Sequence, residues 1–216
     1  MMMKTITKHI VRACIFTVCI FVLCWFVAAV RPAYSQDLSL YNFGKGKIQV
    51  RLYADYFCGP CSRIEPKLEP LISELVKKDV ITISFIDAPF HKYSTLYAQY
   101  FLYSLNNNKN IDHAIKVRST LFEASKIPIQ DADKLESFLA GKGIKFSKFD
   151  EKPVFYIFQN FFREDRVTST PSCVVVKDGQ KKMVSGDNEV LKAFEDLRQD
   201  YKNQDEPSGT KRKRNP

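Results

Sequence analysis

Cys58-Gly59-Pro60-Cys61 is the segment of this 216-residue chain whose residue types and spacing could do chemistry. Two thiols separated by two residues can close a disulfide and open it again, as thiol–disulfide exchange requires. Cys58, coming first and expected to be exposed, is the natural nucleophile. Cys61, one turn into a helix and buried, would resolve a mixed disulfide. The same spacing also serves as half of a zinc site. The second half is lacking, because beyond residue 36 only Cys173, His91 and His113 remain as candidate ligands, none in a paired spacing. Haem attachment is excluded, since Ser62 and not histidine follows Cys61. The redox reading is favoured, and neither a metal nor a bound cofactor is expected.

The elements around the pair explain how a thiol there would be activated. Ile48–Ala54 (IQVRLYA) is β-rich and reads as a core strand, while the chain from Cys61 carries Ile64, Leu68, Leu71, Ile72 and Leu75 as a helical apolar stripe. The cysteines therefore fall where a strand turns into a helix. A thiol at that place faces unpaired amide N–H groups and the positive end of the helix dipole, which stabilise a thiolate. Tyr56 and Phe57 precede the pair; strand alternation and the turn should expose one of them, and Tyr56 is expected to touch substrate.

With Pro66 five residues after Cys61, the run Asp55-Tyr56-Phe57-Cys58-Gly59-Pro60-Cys61 resembles the active site of the thioredoxin superfamily. A second mark, Thr170-Pro171 within VTSTPSCVVVKDGQ, resembles that superfamily's Thr-cis-Pro loop, which packs beside the cysteines and receives substrate. A strand (Cys173–Val176), a turn at Asp178-Gly179, a strand (Lys181–Val184) and an amphipathic helix (Glu189–Lys202) follow in the superfamily's order. Val80–Ile86 reads as a strand pairing beside Ile48–Ala54. Between it and Thr170 lie some 80 residues with helical character at Tyr93–Leu105, Ile111–Ser125, Ala132–Ala140 and Phe155–Phe162. A helical lobe at that point is the organisation of DsbA-like proteins, and Ala88-Pro89-Phe90 leading to Ser94-Thr95-Leu96-Tyr97-Ala98 is similar to the approach to their lobe. The resemblance spans roughly residues 46–203. It implies an α/β, thioredoxin-like fold with an inserted helical subdomain and thiol–disulfide oxidoreductase activity.

Two departures bear on direction. Many members carry a buried acid six residues before the first cysteine, where this chain has Leu52, so Cys61 would lack its usual base. The Gly59-Pro60 dipeptide is that of reducing thioredoxins, whereas strong DsbA oxidants typically have Pro-His. These departures point opposite ways.

The remaining sequence gives location and partners. Residues 1–12 hold three cations and no acid, residues 13–30 are apolar apart from Thr17, and Ala33-Tyr34-Ser35 supplies small side chains before Gln36. This is the order of a secretory signal. The apolar run falls between the roughly 7–15 residues of a signal and the roughly 20 of a membrane span. Residues 1–35 are thus read as a signal peptide, or as an anchor through residues 13–30. No Asn-x-Ser/Thr acceptor and no ER-retention ending occurs, which favours a bacterial periplasm. The net charge of +9 contains four cations from the first 35 residues and four from Lys211-Arg212-Lys213-Arg214, leaving a body near neutrality, a poor match to nucleic-acid binding.

The expected organisation is a thioredoxin-like domain in two parts, 36–88 and 167–204, around a helical subdomain at 89–166, with a basic tail at 205–216. The expected protein is a periplasmic oxidase acting as a monomer on exported cysteine-containing proteins and reset by a membrane redox partner. A reductase or isomerase fed by a membrane electron donor, and a non-catalytic binding module, are the alternatives. Cys173 reads as a buried inert thiol. His91 reads as a surface or capping residue with no partner carboxylate in view. The phenylalanines at 155, 158, 161 and 162 read as core.

Overall fold

Residues 41–205, apart from Pro128, are described by a computed structural model of the chain. The expected leader and the Lys211–Arg214 cluster lie outside the described residues.

The first cysteine-bearing unit is a strand–helix–strand crossover of the kind that parallel strands require. Strand β1 (Asn42–Phe43) leads to β2 (Ile48–Ala54), helix α1 (Gly59–Lys77) and β3 (Ile81–Asp87). β2 and β3 run parallel in register from Ile48↔Ile81 to Ala54↔Asp87. β1, which is too short to show in the sequence, pairs antiparallel with the other edge of β3. The approach of the chain to β2 is fixed by two glycines. A Cβ on Gly46 would lie 2.2 Å from the Ile81 nitrogen, and one on Gly44, whose φ is +93°, 2.4 Å from the Ile81 carbonyl oxygen.

Four helices then intervene: α2 (Ser94–Asn107), α3 (Ile111–Ala124), α4 (Ala132–Gly141) and α5 (Lys152–Asp165). Asn110 and Asp131 cap α3 and α4 by accepting the amides of His113 and Lys134. The chain returns as the hairpin β4 (Ser172–Lys177) and β5 (Gln180–Ser185), joined by Asp178-Gly179 with φ of 52° and 75°, and ends in α6 (Asp187–Asp205). Positive φ at both central residues matches the right-handed twist of the strands. The sheet order is β1-β3-β2-β4-β5, with β2 central and β4 antiparallel to it. This is the expected α/β, thioredoxin-like architecture with a helical insertion.

α1 buries Ile64, Leu68, Leu71, Ile72 and Leu75 against the sheet, the apolar stripe expected from the sequence. Pro66 and Pro70 both lie inside it. Each removes an amide donor from the helix.

Candidate active site

Helix α1 begins beside Cys58, which is its N-cap residue and whose sulfur accepts the Cys61 amide at 3.4 Å. Pro60 occupies the first turn, where a missing N–H leaves nothing unsatisfied. The two sulfurs stand 2.7 Å apart as free cysteines, the Cys61 thiol donating to Cys58. The Thr170 carbonyl lies 3.2 Å from the Cys58 sulfur and accepts its proton when it is a thiol. The Thr170–Pro171 peptide bond is cis, and Pro171 is buried. Tertiary folding thus brings together the residues singled out at 58–61 and 170–171, more than 100 positions apart in the chain.

The two thiols are driven apart in acidity. Hydrogen bonding from Cys61 is the main reason Cys58 is lowered to about 6; burial opposes it, and the Thr170 side chain and the Cys61 amide assist. Cys61 is raised, because it donates that same hydrogen bond and is buried. The reduced pair therefore holds one proton, on Cys61, with the charge on Cys58. Coupling of this kind belongs to the pair as a unit.

Two expectations about exposure are corrected. Cys58 is only 7% exposed, since the Thr170-Pro171 loop covers the sulfur from one side and α1 holds it from the other. Tyr56, expected to be the exposed aromatic, is 2% exposed: its ring lies tilted against Phe122 and its hydroxyl donates to Asp87 at 3.3 Å. The turn after β2 rotates the pair of aromatics so that Phe57 is the partly exposed one, set edge-on to Tyr97.

Leu52, at the position where many relatives carry an acid, is buried opposite Cys173 and Phe85. Ionisable groups do lie beneath the active-site helix, but on other elements. Arg118 of α3 is 1% exposed and forms a two-pronged pair with Glu65 of α1 at 2.7 and 3.0 Å. Its Nη1 stands 3.5 Å from Asp87 Oδ1 at the end of β3. Burial pushes the Asp87 carboxyl up to about 7 against the pull of Arg118. A charged residue in an apolar helical stripe was the signal in the sequence: Glu65 sits next to Ile64 on the buried face of α1, so it needed a cation from elsewhere.

Asp55 is also buried, at 1% exposure, and collects donors from a segment 35 residues on: the Phe90 amide, the Ser94 hydroxyl and His91 Nδ1 at 2.9 Å. His91 therefore has the carboxylate partner that the sequence did not reveal. Cys173 is fully buried and burial pushes its thiol up to about 12, so it is held as the neutral thiol. Phe158 is core, while Phe155 and Phe162 are partly buried and line, with Pro89, Thr95 and Ala98, an apolar cavity of about 180 Å³. Among the described residues no group of His, Cys, Asp and Glu could hold a metal, and no helix is long and apolar enough to cross a membrane.

A strand–Cys-x-x-Cys–helix unit faced by a Thr-cis-Pro loop defines a thioredoxin-type site. The chain belongs to the thioredoxin family, whose model matches residues 44–196. No curated protein matches it. Its fold is similar to that of a periplasmic thioredoxin-like protein from Salmonella enterica serovar Typhimurium, at 18% identity and a TM-score of 0.55, covering 77% of this chain and 95% of that one. It is also similar to Wolbachia pipientis alpha-DsbA1, at 14% identity and a TM-score of 0.57, covering 76% and 93%. The catalytic domain of Proteus mirabilis ScsC matches at 16% identity and a TM-score of 0.55, covering 79% and 96%. The helical insertion between β3 and β4 gives this chain a fold similar to that of these structures.

Proposed function

We propose that this protein is a periplasmic thiol–disulfide oxidoreductase that works as an oxidase on exported cysteine-containing proteins. The observation that carries the reading is the convergence of the Cys61 amide and thiol on the Cys58 sulfur at the start of α1, which stabilises the reduced pair as a Cys58 thiolate. The leader-like residues 1–35 and the periplasmic relative from Salmonella support the location.

The cycle starts from a Cys58–Cys61 disulfide. A substrate thiolate attacks the Cys58 sulfur; the S–S bond breaks, and Cys61 leaves and takes up a proton. A second substrate thiolate then attacks the substrate sulfur of the mixed disulfide, forming the substrate disulfide and expelling Cys58 as its stabilised thiolate. Two electrons rest on the cysteine pair, and a membrane redox partner removes them. The backbone at Thr170, beside the Cys58 sulfur, pairs with the extended substrate and adds a strand to it. The protein acts as a monomer and needs no cofactor.

The test is the reduction potential of the pair in residues 36–216, equilibrated with glutathione or dithiothreitol. A value near about −120 mV is expected of an oxidant. A value near about −270 mV would make the protein a reductant, as Gly59-Pro60 suggests, and overturn the direction. Cys58→Ser should abolish exchange and Cys61→Ser should trap mixed disulfides; a disulfide that resists dithiothreitol would instead mark a fixed bridge in a binding module.

A further inference from the structure

Asp55 occupies an unusual place for a buried carboxylate. Its carbonyl accepts the Cys58 amide at 3.0 Å, and its side chain is buried three residues before the nucleophile, where a carboxylate charge disfavours a second negative charge on the sulfur. The carboxylate is bound by the Phe57 amide at 2.8 Å, the Phe90 amide at 3.0 Å and the Ser94 hydroxyl at 2.8–2.9 Å, so it cannot swing away. These donors are neutral. They fix Asp55 but leave its charge in place beside a sulfur that must itself become negative.

Among the described residues, His91 is the one cation-capable group bonded to it. Its Nδ1 stands 2.9 Å from Asp55 Oδ2, while the ring is 49% exposed and stacks near Phe57, which flanks Cys58. A buried anion joined to a half-exposed imidazole forms a unit whose net charge is −1 or zero according to the proton on His91. The other charged or titratable groups facing the unit are Cys58 and Cys61 of α1 and Asp87 of β3, the last backed by Arg118 and Glu65; on its own segment, Lys92 lies over the Tyr93 ring at 5.1 Å.

We propose that Asp55 and His91 form an adjustable charge beside the nucleophile: protonated His91 cancels the Asp55 carboxylate and strengthens the Cys58 thiolate, and neutral His91 exposes the carboxylate and weakens it. His91 is a positioning residue that sets oxidising strength through Asp55 without touching the sulfur. The inference rests on the oxidoreductase reading of the same site. Reduction of the pair, in which two glutathione thiols become one glutathione disulfide and the Cys58–Cys61 bond becomes a thiol and a thiolate, is favoured by whatever stabilises that thiolate.

The experiment measures two quantities in residues 36–216 of the wild type, His91→Gln, His91→Lys and Asp55→Asn: the thiolate titration of Cys58 by ultraviolet absorbance, and the equilibrium constant with glutathione at pH 6 and pH 8. His91→Gln should raise the Cys58 midpoint and shift the glutathione equilibrium about three- to tenfold toward the disulfide form, a tenfold shift being about 30 mV. His91→Lys, charged at both pH values, should keep or lower the midpoint and remove the difference between pH 6 and pH 8 that the wild type shows beyond the proton stoichiometry of the pair. Asp55→Asn should lower the midpoint and make a further His91→Gln change silent. Because His91 is at the surface, its variants report even if Asp55→Asn fails to fold. A wild-type pair with a low midpoint that neither His91 variant moves would overturn the inference and leave the oxidoreductase reading standing. A wild-type pair that does not equilibrate with glutathione at all would overturn that reading itself.

Discussion

At the scale of the residue, the site is a problem of where protons and charges rest. Cys58 and Cys61 differ in acidity because one accepts and the other donates the hydrogen bond between them, so the proton has a preferred sulfur before any substrate arrives. Asp87 shows the opposite influence of burial. Its carboxyl is raised from 3.8 to about 7, so in the folded state it stays protonated where the unfolded chain has already ionised. The contribution of this group to stability is therefore complete below about pH 4 and lost as the pH rises from about 4 to 7. Asp87→Asn, which keeps the shape without the titration, should flatten that part of the pH–stability profile in urea denaturation. A profile unchanged from wild type between pH 4 and 7 would show that Arg118 keeps Asp87 ionised throughout.

At the scale of the element, the active-site helix is placed by what holds β2 against β3. The parallel register from Ile48↔Ile81 to Ala54↔Asp87 puts the end of β2, and hence Cys58, at one level with Asp87 and the segment that follows it. Gly46 lies just before the start of that register, where an added Cβ would come within 2.2–2.3 Å of the Val80–Ile81 backbone. A methyl there would meet main-chain atoms that have no room to move, so Gly46→Ala is expected to lower stability by about 2 kcal/mol or more, in the range of mutations that force backbone shifts. Thermal denaturation checks this. A change within about 0.5 kcal/mol, as at a free surface site, would mean that the strand edge yields easily.

At the scale of the whole molecule, the last helix of the insertion is tied to the sheet through a buried carboxylate. Asp165, at the end of α5, accepts from Arg51 of β2 at 2.6 and 2.8 Å and from the Tyr53 hydroxyl at 2.5 Å, and pairs with Lys181 of β5. Burial pushes its carboxyl up, yet these donors outweigh burial and hold it below its ordinary value. Its stabilising contribution is thus present above about pH 4 and lost as the pH falls through the lowered value. Asp165→Ala leaves Arg51 and Tyr53 without their acceptor at a largely desolvated site and should cost about 3 kcal/mol. The Cys58 thiolate titration should be unchanged. A shift in that titration would show that the insertion and the site are coupled through the strand.

The reactive thiols and most of the frame around them were legible in local sequence. The Cys-x-x-Cys spacing, the β-rich run before it, the apolar stripe of α1 and the Asp178-Gly179 turn are local patterns, and each is read from neighbours a few residues apart. The α2–α5 helices were likewise legible from periodicity, to within a few residues at their ends. Only the tertiary structure decided which buried charges meet. Glu65 and Arg118 are 53 positions apart, Asp55 and His91 are 36, and Arg51 and Asp165 are 114. No local pattern records such pairings, because a buried ion pair depends on two elements folding face to face. The exposure of Tyr56 was misread for the same reason: alternation says that one of two adjacent aromatics points inward, but the wall that receives it, Phe122 and Asp87, comes from α3 and β3. Local order specified the thiols and their scaffold, and long-range packing set the charges that surround them.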